Sequence, residues 1–100
     1  MLHGLGDGPI LAPGMSSMIQ IGPFGRGDLW YKGLGEQDVL ESLEIARNIF
    51  NIDNDRISLC GFSMGAIGTF GLGLKYPDLW AACVPVCGRC ETPELLTNAR

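Results

Sequence analysis

One serine in this chain sits where its neighbours could make it a nucleophile: Ser63, inside Gly61-Phe62-Ser63-Met64-Gly65. A G-x-S-x-G placed between a strand and a helix forces a tight turn that projects the serine above the sheet. Small residues two before and two after it are needed, because the backbone folds so sharply there. The turn also puts Ser63 at the positive end of the following helix. The backbone N–H of Met64 then points at the oxyanion that develops during acyl transfer. Five residues of this kind say little alone, since Gly and Ser are common. A strand before them and a helix after them make the pattern specific.

The second half of an oxyanion hole should come from a backbone N–H in an earlier loop. Leu2-His3-Gly4-Leu5-Gly6 fits, as an H-G-x-G at the end of a strand. The N–H of Leu5 is the candidate donor, with Gly4 allowing the loop to turn. His3 is the only histidine and must be weighed as the general base. In such sites the chain order is serine, acid, histidine, and His3 lies far before the serine. A structural role in the loop is therefore the preferred reading.

The elements that must position these residues follow from the pattern. Met1 to Gly8 reads as the last step of a strand entering a glycine-rich loop. Pro9 to Gly35 is loop-like, punctuated by Pro9, Pro13, Pro23 and many glycines. A connection of that length in a compact domain suggests a functional surface. Within it, Trp30 and Tyr31 either line a substrate pocket or pack the loop onto the core.

A helix is expected next, with Glu36 and Asp38 in its first turn complementing the dipole. Val39, Leu40, Leu43, Ala46, Ile49 and Phe50 draw one apolar face at three- and four-residue steps. Asn51 to Asp55 is turn chemistry, and Arg56 to Cys60 is a short strand. A second helix should run from about Met64 to Lys75 and close before Pro77. Gly65, Gly68, Gly71 and Gly73 weaken it by up to about 1 kcal/mol each, so burial must hold it. Ala81 to Val86 reads as another buried strand, with Pro85 near its end. Glu91 to Arg100 begins a further helix, capped by Thr92 with Pro93 at its first position. Strands alternating with helices mean a parallel sheet covered by helices.

Composition sets limits. The chain is 46% hydrophobic and 18% charged, which is globular rather than disordered. A length of 100 residues allows one domain at most and is small for an enzyme with a central sheet. The net charge is −4, and Lys32, Lys75 and the arginines are scattered, which argues against a nucleic-acid surface. No apolar run has the length of a membrane span. Met1-Leu2-His3-Gly4 has no signal-peptide pattern, and the compartment stays open.

Cys60, Cys83 and Cys87 lie in apolar runs, where a free cysteine behaves as a small buried hydrophobe. Cys87-Gly88-Arg89-Cys90 is formally a C-x-x-C, but it lacks a second ligand pair or a thioredoxin-like context. No metal and no cofactor are expected.

The chain resembles known families over nearly its whole length. Leu2-His3-Gly4-Leu5-Gly6-Asp7 looks like the opening of the phospholipase/carboxylesterase group. The middle is closer to the prolyl-oligopeptidase-like peptidases and esterases, with feruloyl- and polyhydroxybutyrate-depolymerase-like members. The residues that carry this are Asp28-Leu29-Trp30-Tyr31, Gly35 to Val39, Asn51 to Ile57, Gly61 to Gly65, Tyr76 to Leu79 and Pro85 to Gly88. The resemblance implies an α/β class: a partial α/β-hydrolase fold over residues 1–100, a mostly parallel sheet flanked by helices, lacking the first and last strands. It also implies a Ser-Asp-His triad that cleaves small-molecule esters, or peptides, through an acyl-enzyme and without metal or cofactor. The triad acid and histidine of those families lie after later strands, which this chain does not reach, and Asp78 belongs to a turn.

Two other readings compete. One is a catalytically inert fragment of such a hydrolase. The other, from Gly61, Gly65 and Gly68, is a nucleotide-binding α/β module, though the spacing is not that of the dinucleotide fingerprint. Arg26-Gly27-Asp28 matches an adhesion tripeptide, with an ordinary loop as the preferred reading.

Overall fold

The structure is a computed structural model that describes residues 1–6 and 17–99. The parts of the loop expectation over 7–16, and the end of the last expected helix at Arg100, lie outside the described residues.

The first helix, α1, spans Leu34–Ile49. Gly33 enters it with φ 53° and ψ −117°, a conformation that glycine adopts without the penalty a Cβ brings. Gly35, Val39, Leu43 and Ala46 form its buried stripe. Ile49 and Phe50 were expected on that face but are 67% and 46% exposed, because the last turn runs past the core. Starting at Leu34 also moves Asp38 out of the first turn. Its carboxylate instead accepts the N–H of Gly25 at 2.8 Å and ties the helix to the loop before it.

Strand β1 spans Ser58–Phe62, two residues later than the apolar run suggested. The start is delayed because Asp53 accepts the N–H of Asp55 and winds Asn54–Arg56 into a three-ten turn. The end extends through Gly61, which pairs with Pro85 on one side and bridges to Leu2 on the other. Helix α2 follows at Met64–Lys75, and strand β2 at Ala82–Val86 pairs parallel to β1 from Ser58↔Ala82 to Phe62↔Val86. Leu2 donates its N–H to Cys60 O at 2.8 Å and accepts from Phe62 N–H at 3.3 Å. The described residues thus form helices and a two-stranded parallel sheet, with Leu2 as a one-residue parallel bridge on the outer side of β1.

Leu2, Tyr31, Val39, Leu59, Met64 and Leu72 share one apolar cluster, with Tyr76 and Trp80 packed against it. Leu2, Met64 and Leu72 are almost fully buried, and each is worth about 1.5–3 kcal/mol relative to exposure. This is the side that α2 covers. The other face of the sheet is open: Phe62, Val84 and Val86 are exposed. Ala82–Val86 is accordingly an exposed strand rather than the buried one expected. Cys83 and Cys87 are exposed, contrary to their reading as buried hydrophobes, and Cys60 is half-buried. The last expected helix is a three-ten segment, Pro93–Asn98. Thr92 precedes it but makes no cap hydrogen bond, and its buried hydroxyl has no partner.

The two helices are joined at their ends. Glu36 accepts from Lys75 Nζ at 2.7 Å and from the Tyr76 hydroxyl. Burial acts to raise the Glu36 carboxyl, but these hydrogen bonds and the Lys75 charge outweigh it and hold the group below the usual carboxylate range. A carboxyl depressed in the folded state contributes stability above its unfolded pKa. That contribution is lost as pH falls through the lower folded value. Lys75 is half exposed, so the pair is worth no more than about 1 kcal/mol. Glu36→Gln is expected to cost up to that much at neutral pH and almost nothing near pH 2, as read by urea unfolding at each pH. An equal cost at both would refute it.

Candidate active site

The pentapeptide around Ser63 is a strand-to-helix junction. β1 ends at Phe62 and α2 begins at Met64, leaving Ser63 alone between them. Its φ of 55° and ψ of −114° match the first central residue of a type II′ turn, a position dominated by glycine. Gly33 holds nearly the same angles at the entrance to α1. The fold thus uses one turn twice, with glycine at one site and a strained serine at the other. Strain of this kind costs about 1–3 kcal/mol and clusters at functional sites.

The turn is clamped from several sides. The Ser63 N–H donates to Val86 O at 2.9 Å, which ties the elbow to the end of β2. Its carbonyl accepts from Ala66 and Ile67 at 3.0 and 3.2 Å and starts α2. A Cβ on Gly61 would lie 2.1 Å from Gly65 O, and one on Gly65 would lie 2.2 Å from Leu2 O. Glycine at both positions is therefore a steric requirement of the close approach. A Cβ on Gly88 would lie 2.4 Å from the Ala66 Cβ, so the chain after β2 presses on the first turn of α2. Ser63 is half-buried. Among the described residues the Met64 N–H donates to no backbone acceptor, as expected of the first N–H of a helix. That leaves a free donor beside the serine, at the positive end of the helix dipole.

The loop proposed to supply a second donor lies against the same turn, since the carbonyls of Leu2 and His3 are what a Gly65 Cβ would strike. Because Leu2, β1 and β2 run parallel, their carboxyl ends share one edge, where open α/β sheets place their ligands. His3 is completely buried. Its Nδ1 lies 2.8 Å from Gly4 O and its Nε2 lies 2.7 Å from Phe24 O. The ring stacks on Phe24 and meets Tyr31 edge-on. Both ring nitrogens thus face backbone carbonyls, so His3 braces the loop instead of serving Ser63. Leu5 is exposed, and among the described residues its N–H has no backbone acceptor.

Two loop residues do work that motif reading did not assign to them. Asp28 accepts the Gly6 N–H at 3.0 Å, and Tyr31 donates its hydroxyl to His3 O at 3.1 Å. Trp30 and Tyr31 separate in role: Trp30 is exposed and Tyr31 is buried. Both have φ of 58°, which swings adjacent side chains apart and which no residue-type signal reveals. Burial, chiefly, pushes the Tyr31 hydroxyl up to about 12, so it remains a protonated donor at neutral pH.

Asp78 lies in the turn beyond α2, at the end of a 12-residue helix whose other end carries Ser63. A helix of that length spans about 18 Å, too far for contact with the serine. All four cysteines are free, Cys87 and Cys90 included. Among the described residues no three His, Cys, Asp or Glu side chains gather as a metal site would require. No described helix is long and apolar enough to cross a membrane. Scans against protein-family models, curated proteins and solved structures found no match to this chain.

Proposed function

We propose that this chain is the nucleophile-bearing part of a serine hydrolase with an α/β-hydrolase fold, resembling the prolyl-oligopeptidase-like and phospholipase/carboxylesterase groups. Its substrates are carboxylic esters, or peptides. The observation that carries this reading is Ser63 held in a turn conformation that glycine would adopt at lower cost, at the N-terminus of α2. A serine kept there needs a reason, and attack on a carbonyl is one. The Met64 N–H, with the Leu5 N–H from the opposing loop, would receive the negative charge on the carbonyl oxygen of the tetrahedral intermediate. Ser63 would be acylated with loss of the alcohol or amine, and water would release the acid.

Such a serine needs a base to take its proton. His3, the single histidine, is committed to two backbone carbonyls. That observation favours a second reading: a chain that keeps the architecture and, alone, does no chemistry. A fluorophosphonate probe separates the two. Covalent labelling that maps to Ser63 and disappears in Ser63→Ala, together with turnover of a short-chain nitrophenyl ester, is the expected result. Absence of both would leave the inert reading standing. Removing one triad member leaves only residual catalysis, so a slow labelling rate still supports the first reading.

A further inference from the structure

We infer that Tyr31 is a positioning residue that aims the Leu5 N–H toward the carbonyl oxygen of a substrate bound at Ser63. The inference rests on the hydrolase reading above.

A trans peptide is planar, with its C=O and N–H pointing in opposite directions. Holding one carbonyl therefore orients the amide hydrogen of the next residue. In Leu2 to Gly6 two successive peptides are held this way. The Tyr31 hydroxyl donates to His3 O at 3.1 Å and sets the His3–Gly4 plane. The His3 Nδ1 lies 2.8 Å from Gly4 O and sets the Gly4–Leu5 plane, whose hydrogen is the Leu5 N–H. The ring that sets the second plane is itself flanked by Tyr31, centroids 5.7 Å apart in an edge-on arrangement. Tyr31 thus holds the peptide that precedes the donor's own and flanks the ring that holds the donor's own.

It also reaches the element that carries the serine. A Cβ on Gly68 of α2 would lie 2.5 Å from the Tyr31 ring, and one on Gly25 would meet the same ring at 2.5 Å. Tyr31 is 3% exposed and held at φ 58° to reach this slot. One rigid ring therefore spans from the helix behind Ser63 to the carbonyl behind the oxyanion loop. That geometry ties the loop that carries Leu5 to the helix that Met64 begins. A donor misaimed by one peptide rotation contributes nothing to the intermediate, however stable the fold.

Tyr31→Phe isolates the hydroxyl, because the ring and its contacts with Gly25 and Gly68 remain. Two measurements on the full chain test the inference: the rate of fluorophosphonate labelling and ester turnover, and the residual dipolar couplings of backbone N–H groups. The expected result is a fall of about 10- to 100-fold in labelling rate and kcat with little change in KM. The Gly4 and Leu5 couplings should change while those of α2 do not. Tyr76→Phe, which removes a hydroxyl at the far end of α2, should leave labelling as in the parent chain. An unchanged labelling rate in Tyr31→Phe, or unchanged Gly4 and Leu5 couplings, overturns the assignment. If the parent chain itself never labels, the hydrolase reading fails. The couplings then decide by themselves whether Tyr31 orients the Leu5 amide.

Discussion

Adding one methyl group at Gly61 or Gly65 is expected to destabilise the chain by about 3 kcal/mol or more, a large part of the 5–15 kcal/mol available to a domain of this kind. The Gly61 methyl would lie 2.1 Å from Gly65 O and 2.4 Å from Gly65 C; the Gly65 methyl would lie 2.2 Å from Leu2 O. Real Cβ atoms do not approach so closely, and the atoms struck are backbone, apart from Thr69 Oγ1 at 2.8 Å from the Gly61 methyl. The elbow is tied at one end to Val86 and the Leu2 bridge to Cys60, so neither side can move away without breaking the sheet. Gly73 offers a milder case, because its methyl would meet the Cys83 Sγ, which can rotate. Gly71 reverses the sign. Nothing lies within 4 Å of its position, so Gly71→Ala should gain about 0.5–1 kcal/mol of helix propensity. Urea unfolding of the four alanine variants checks this, with equal m-values to show that the same transition is compared. Alanine tolerated at Gly61 and Gly65 would remove the close approach on which the elbow depends.

Ser63→Gly is expected to give a more stable protein that has lost all reactivity at this position. The serine holds φ 55° and ψ −114°, where a Cβ costs about 1–3 kcal/mol. Glycine relieves that strain. It also returns about 0.4–1 kcal/mol through the greater freedom of its unfolded chain. The net expectation is a gain of about 1 kcal/mol over the parent chain. Ser63→Ala keeps the Cβ and hence the strain, so it should be close to neutral, while both variants lose fluorophosphonate labelling. The comparison separates chemistry from architecture: a serine present for packing would be missed in the glycine variant, and one present for its hydroxyl would not. Ser63→Gly less stable than Ser63→Ala would mean that the turn needs the side chain.

What could be read from residue order follows from local physics. The 3.6-residue recurrence of Val39, Leu43 and Ala46 defined α1. The G-x-S-x-G between an apolar run and a glycine-rich segment located the junction at Ser63, because only small residues survive such a reversal. The bounds of α2 followed from the elbow at one end and Pro77 at the other. Local physics also misled in places. Ala82–Val86 is apolar at every position, a pattern that predicts burial, yet burial depends on what covers a face. Among the described residues only the side toward α2 is covered. Thr92 before Pro93 had the residue types of a capped helix, but the segment wound into a three-ten turn and left the hydroxyl without a partner.

By its sequence alone this protein determined α1, α2, the two strands with their parallel alternation and the position of the candidate nucleophile, because each depends on neighbours within a few residues. Only the tertiary structure decided that His3 turns both ring nitrogens to carbonyls, that Asp28 grips the Gly6 amide, and that Tyr31 rather than Trp30 is drawn inside. Each of those contacts joins residues some twenty or more positions apart, apart from the His3 bond to Gly4. They form only once the loop is folded back across the end of α2. The direction of a single amide hydrogen is a property of that closure, and residue types carry no record of it.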